Sequence, residues 1–321
     1  MANHNPSTST PLASVPVERV VGRFVGGGGD VRRGASLVVV AGIHGNEPAG
    51  VFAARRVFAR LGAGDIDVDG EFVVFAGNVY GLNHGVRYVD RDLNRGWSHD
   101  KLRALRSVDA AASQNEDREQ RALADALDLA IGRARGEVIV ADLHTSSAPG
   151  VPFVLFGNTP AQREFVRAFP IPVISGIVDK VEGVLSEFAL QLGPQATFSV
   201  EGGLHDDPAS VDALEAILWL SLARARMIDA GRVEVTRAHA VLEQMRGALP
   251  KMVDVVRRHA ITADDEFVME RGFKNVDRIG KGQLLAKDRR GEVRAEEDGV
   301  VVLPLYQKLG NDGFFWGKEI R

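Results

Sequence analysis

The chain has 321 residues, 45% of them hydrophobic, which is enough for one large domain with a smaller one beside it. Its net charge of −4, with Lys and Arg scattered rather than gathered into a tract, gives no pull toward nucleic acid or an anionic membrane, and no apolar run reaches the roughly 18 residues that a membrane span needs. Cysteine is absent, so disulfides and thiolate ligands are excluded; any metal must be held by His, Asp or Glu, and the composition fits a cytoplasmic protein.

Residues 1–15 are polar and proline-bearing and lack the cationic and apolar segments of a secretory signal, so they read as a disordered lead-in. Gly26 to Gly29, followed by Asp30, lack the Gly-Lys-Ser/Thr ending of a phosphate loop and read as a turn before the first core strand. Short apolar, β-branched runs predict strands over Leu37–Ala41, Phe72–Ala76, Val138–Leu143, Pro152–Phe156 and Thr197–Val200. Helices are predicted over Glu47–Leu61, Glu119–Arg135, Ala161–Phe169 and Asp207–Ala230, the last with Val211, Leu214, Ile217, Leu218 and Leu220 at helical spacing. Strands alternating with helices predict an α/β fold, a mixed and mostly parallel sheet flanked by helices. After about residue 232 the texture changes to short strands broken by Gly and Asp turns. The expected organisation is therefore a main domain over 16–231 and a small β-rich domain of lipoyl-like rhythm over 232–321.

Four stretches carry chemistry. In "AGIHGNEPAG" (41–50), His44 precedes the predicted helix and Glu47 opens it. Residues three apart there share a face and can bind one ion, although a helix-starting carboxylate beside a turn histidine would also explain them. In "EVIVADLHTSS" (137–147), a buried strand ends in Asp142 and His144. The carboxyl end of an α/β strand is where ligands sit, and His144 completes a His-Glu-His set suited to a zinc ion with an open position. Asp142 could orient a ligand from behind or cap a loop. In "ATFSVEGG" (196–203), Glu201 ends another buried strand, either as a general base or as a loop anchor. In "RYVDRDLNRGW" (87–97), three arginines alternate with acidic residues. Arginines clamp carboxylates and stabilise oxyanions, and Tyr88, Leu93 and Trp97 suggest that the segment packs against the body.

Taken together and in this order, "GIHGNE", "RYVDRDLNR", "DLHTS" and "VEGG" resemble the succinylglutamate desuccinylase and aspartoacylase family of the zinc carboxypeptidase-like superfamily, over residues 36 to about 230. The resemblance implies one Zn2+ on His44, Glu47 and His144, with Glu201 as general base and acid. It implies Arg87 as the group that polarises the scissile carbonyl, and Asn94 and Arg95 as the pair that holds substrate. The implied partner is a small N-acyl amino acid, hydrolysed by metal-activated water, with no nucleic acid or membrane involved; a homo-oligomer stays open. "RYVDRDLNR" is closer to aspartoacylase. "DLHT" is closer to the desuccinylase, but Ser146 and Ser147 stand where an arginine often follows there, and "EGGLHDDPASV" matches neither. Tyr306 is the candidate for the tyrosine that reaches the active site from aspartoacylase's C-terminal domain. Two other readings remain open: a metallocarboxypeptidase acting on peptides, and a non-catalytic small-molecule-binding protein.

Overall fold

A computed structural model describes residues 16–26, 34–109, 113–157 and 159–320. The predicted lead-in over 1–15 and most of the glycine turn at 26–30 lie outside the described residues. The first half of the chain forms β1 (Val20–Val25), β2 (Ala35–Ala41), α1 (Ala49–Leu61), β3 (Gly70–Ala76), α2 (Val79–His84), α3 (His99–Ser107), α4 (Asn115–Arg133) and β4 (Val138–Ser146). It continues with β5 (Phe153–Phe156), α5 (Pro160–Val166), β6 (Val173–Ser175), α6 (Leu185–Gln191), β7 (Ala196–Leu204), α7 (Pro208–Arg224) and α8 (Val233–Arg246). The C-terminal part is β8 (Met252–Ala260), β9 (Val268–Met269), β10 (Asp277–Ile279), β11 (Leu284–Asp288), β12 (Gly291–Arg294), β13 (Gly299–Val302) and β14 (Asp312–Glu319).

The fold is mixed α/β. Eleven strands form one sheet in the order β1-β3-β2-β4-β7-β5-β6-β8-β14-β13-β10, and β12-β11-β9 form a second, three-stranded antiparallel sheet. The centre, β3-β2-β4-β7, is parallel, and antiparallel pairs lie outside it. Strand β2 shows why the sequence is apolar throughout. Leu37 and Val39 pack on one side with α1, α7 and α8, while Val38 and Val40 pack on the other with α3, α4 and α6. A strand covered on both faces cannot alternate apolar with polar residues, and each fully buried Val or Leu contributes about 1.5–3 kcal/mol over an exposed one. Among the described residues, no helix is long and apolar enough to cross a membrane.

The helices depart from the sequence expectation in several places: α4 runs over Asn115–Arg133 rather than Glu119–Arg135, α5 over Pro160–Val166 rather than Ala161–Phe169, and α2, α3 and α6 were not expected. Helix α1 starts at Ala49 rather than Glu47, because Pro48 takes the N-cap and residues 44–47 close a turn in which Glu47 N donates to His44 O at 3.1 Å. Helix α7 ends at Arg224 instead of running to Ala230. Arg226 adopts φ +57, and Met227 N bonds back to Leu222 O at 2.9 Å, a Schellman closure built without glycine. Helix α8 lies in the stretch after residue 232 that was expected to be mostly β; its Val235, Ala238 and Leu242 join the cluster that holds α7.

Candidate functional site

The carboxyl ends of β2, β4 and β7 lie side by side, in register Ala41 to Leu143 and His144 to Glu201. Whatever follows Ala41 therefore faces what ends β4 and β7. The chain leaves β2 through Gly42 at φ +68 and passes Gly45 so closely under α2 that a Cβ there would lie 2.0 Å from the Gly81 carbonyl carbon. This tight turn aims His44 and Glu47 back over the strand ends, where His44, Glu47 and His144 bring one ligand atom each within 4.8 Å of one another, all three buried.

Each imidazole lies between carboxylates. His44 Nδ1 faces Glu47 Oε1 at 2.9 Å, and its Nε2 faces Asp92 Oδ1 at 3.0 Å. His144 Nδ1 faces Glu47 Oε2 at 3.2 Å, and its Nε2 faces Asp142 Oδ2 at 2.9 Å. A neutral imidazole has one N–H, and a carboxylate only accepts. One of the two contacts on His144 therefore needs an added proton or a cation between the atoms. The electrostatics agree. Burial alone would lower the His144 pKa, but Asp142 and Glu47 raise it well above the usual histidine range. Burial likewise opposes ionisation of Glu47, yet His44 and His144 hold it well below the usual carboxylate range. A buried cluster so short of positive charge suits a divalent cation. With Asp92 and Asp142 on the outer nitrogens, both Nδ1 atoms and Glu47 are the inner donors, the arrangement in which a carboxylate behind a histidine fixes its orientation at a metal.

The segment 87–97 closes one side of the site. Glu116 of α4, fully buried, holds it by accepting from Val89 N and Asp90 N at 2.8 Å each, and from Asn78 Nδ2 at 3.1 Å. Leu93 and Trp97 are buried, with Trp97 Nε1 donating to Leu93 O. Arg87 donates to Glu47 Oε1 and Asp92 Oδ2 at 3.1 Å each and lies 3.0 Å from His44 Nε2, while its buried Nε has no partner among the described residues. Asn94 accepts from Leu185 N at 2.8 Å, which ties α6 to the segment, and its amide nitrogen is 3.5 Å from His144 Nε2. Arg95 donates to Asp312 Oδ2 at 2.7 Å and to the Asn94 carbonyl at 2.8 Å. Glu201 is buried beside His144, and its Oε2 has no partner among the described residues. Burial pushes its carboxyl up to about 8; His144 and Arg87 work against that rise, Glu47 and Asp142 with it.

Of the nine residues singled out in the sequence, seven (His44, Glu47, Arg87, Asn94, Arg95, His144 and Glu201) line a single cavity of about 160 Å3, and Asp142 lies behind His144. Sequence reading missed several other lining residues: Asp92, His205, Gln307 and Asp312. His205, two residues past the Gly202-Gly203 pair, bonds through Nδ1 to Thr145 Oγ1 at 2.8 Å, and only its place just after the Glu201 strand could have flagged it. Tyr306 does not reach the cavity. Its hydroxyl donates to Glu270 O at 2.8 Å and accepts from Phe273 N at 3.0 Å, so it fastens the C-terminal strands together.

Two histidines and a glutamate over the carboxyl ends of parallel strands form a donor set that could hold a metal ion. The profile described as "Succinylglutamate desuccinylase/Aspartoacylase catalytic domain" matches residues 33–210, and the chain belongs to this family. A succinylglutamate desuccinylase of Burkholderia cenocepacia is 33% identical over 283 residues, covering 85% of this chain and 78% of that protein. One from Burkholderia thailandensis is 27% identical over 281 residues, covering 84% and 76%. The crystal structure of the Chromobacterium violaceum succinylglutamate desuccinylase has the same fold, with a TM-score of 0.62 at 17% identity, over 92% of this chain and 88% of that one.

Proposed function

We propose that the chain is a zinc-dependent amidohydrolase that removes the acyl group from an N-acyl amino acid or a similar small amide. The observation that carries this reading is the meeting, in one cavity, of the His44, Glu47 and His144 donors with a Glu201 carboxylate oxygen on the adjacent strand that has no partner among the described residues. The desuccinylase names of the relatives support deacylation as the reaction class.

His44, Glu47 and His144 would hold a zinc ion, which would supply Lewis acidity toward a carbonyl oxygen and toward a water that ionises near neutral pH. Glu201, with its proton affinity raised by burial toward the working pH, accepts a proton from water and delivers it to the departing amine nitrogen. Arg87 places a fixed guanidinium beside the site, where it stabilises negative charge growing on the amide oxygen. Asp92 and Asp142 hold the two imidazoles in orientation. Asn94 and Arg95 complete the wall against which the substrate is held.

The cavity also supports a small amide over a peptide. Leu303, Pro304, Leu305 and Gln307, with Gly310 to Asp312, close it from the C-terminal side, whereas a carboxypeptidase needs an open cleft. The test is Glu201→Gln. Metal content should stay at about one zinc per chain while turnover of N-acyl amino acids falls roughly 10²- to 10⁴-fold. Near-normal turnover would remove Glu201 from the role of base, and cleavage of peptides in preference to N-acyl amino acids would replace the deacylase with a peptidase.

A further inference from the structure

Beyond the donor cluster, the cavity has two unlike walls. One is apolar: Leu155, Ile177, Val181, Val184, Leu303 and Phe315 face the space in which a substrate must lie. The other is charged, yet its charges are already matched. Both terminal nitrogens of Arg87 are bonded to Glu47 and Asp92. Those of Arg95 are bonded to Asp312 and to a backbone carbonyl. Asp312, at the start of β14, is itself gripped from the other side by Arg258 Nε and is only 15% exposed at its side chain. Among the described lining residues, the arginines Arg87 and Arg95 face four carboxylates, Glu47, Asp92, Glu201 and Asp312, and no lysine is present. Arg258, behind Asp312, is a third guanidinium on this wall, but neither lining arginine keeps a terminal nitrogen free of an acceptor to receive a second substrate carboxylate.

We propose that the substrate carries an apolar arm and at most one carboxylate, and that Asp312 is the specificity residue that excludes a second carboxylate by occupying Arg95. This rests on the amide hydrolysis proposed above and narrows its substrate class. An apolar arm against the aliphatic wall gains about fourfold in binding for each methylene removed from water. A carboxylate on that arm would find the terminal nitrogens of both lining arginines engaged and would have to displace Asp312, leaving that part-buried acid with Arg258 alone. Removing the negative charge at 312 frees Arg95 to take a carboxylate in the two-pronged manner that its guanidinium favours.

The experiment uses two pairs of amides, each alike except for one arm: N-butyrylglycine against N-succinylglycine, and N-acetylleucine against N-acetylglutamate. kcat/KM is measured on the zinc-loaded wild type and on Asp312→Asn. Calorimetric binding of the same four compounds to metal-free protein gives a readout that needs no turnover. The neutral-arm member of each pair is expected to lead by at least tenfold in wild type, and Asp312→Asn should narrow that lead at least tenfold by improving the acidic members. Equal or better use of the acidic members by wild type would overturn the proposal. A variant that weakens all four compounds alike would remove Asp312 from the selecting role. If zinc is bound and none of the four is hydrolysed, the amidohydrolase reading fails; the binding preference then still decides this inference, with neutral-arm binding sustaining it and acidic preference or no binding overturning it.

Discussion

Replacing Asp92 tests the construction of the proposed metal site most directly, because no sequence motif assigns it a role and the structure gives it three contacts. Asp92 Oδ1 faces His44 Nε2 at 3.0 Å and accepts from Asn94 N at 2.9 Å, while Oδ2 accepts from Arg87 at 3.1 Å. Burial opposes its ionisation, but His44 and Arg87 hold its carboxyl well below the usual range, so it is a full negative charge behind the histidine at neutral pH. Asp92→Ala removes the carboxylate that fixes the orientation of the His44 ring. Losing such an outer partner costs about 10- to 100-fold in metal affinity, or about 1.4–2.8 kcal/mol. Asp92→Asn keeps an oxygen that can accept from His44 and loses only the charge, so it should fall between wild type and the alanine variant. Zinc affinity is read by competition with a chromogenic chelator, beside His44→Ala, which removes the ligand itself. Affinity within twofold of wild type in Asp92→Ala, with a large loss in His44→Ala, would refute the reasoning: His44 would then be oriented by its own turn.

Three other perturbations follow from the packing. Glu116→Ala leaves the donors on Val89, Asp90 and Asn78 without their buried acceptor, each costing on the order of 1–3 kcal/mol. The melting temperature should drop by several degrees and zinc affinity should weaken, and an unchanged melt would mean that residues 87–97 are held by other contacts. Gly45→Ala puts a methyl 2.0 Å from the Gly81 backbone, so it should lower stability and metal content together; a normal zinc content at normal stability would show that the turn can move aside. His259, stacked on Phe314 at 4.9 Å between ring centroids, has its pKa lowered by burial. The fold favours the neutral ring, so this contribution is fully present above the unfolded value near 6.5 and is lost as pH falls through the folded value. On acidification from about pH 7 to 5 the wild type should lose more stability than His259→Gln, and parallel pH profiles would contradict that sign.

The central strands and the place of the candidate site were legible in the sequence for physical reasons. A parallel strand covered on both sides must be apolar along its whole length, so Leu37–Ala41 and Val138–Leu143 announce themselves, and polar residues at their ends stand out against that background. His44, Glu47, His144 and Glu201 all sit at such ends, which is why ordered motifs could point to them. Helix limits were less legible, because they depend on single backbone states such as the left-handed Arg226 and on whether Pro48 caps a helix or joins it. Helix α8 was hidden because the face it buries is narrow, Val235, Ala238 and Leu242, in an otherwise polar segment.

What only the tertiary structure decided is which distant partner each charged group acquires. Asp92 lies 48 residues from His44, and Asp312 lies 217 residues from Arg95; neither spacing leaves a local pattern, because both pairings are made by strands and loops that meet only after folding. In the sequence, Arg95 reads as free to clamp a substrate carboxylate and Tyr306 as free to enter the site. In the fold, Asp312 occupies Arg95, and the carbonyl of Glu270 with the amide of Phe273 occupies Tyr306. Residue type and strand position determined where a metal-binding site could form. The closing of β14 and the 303–312 segment over that site determined which charges remain available there, since a buried charge is defined by its partners and not by its neighbours in the chain.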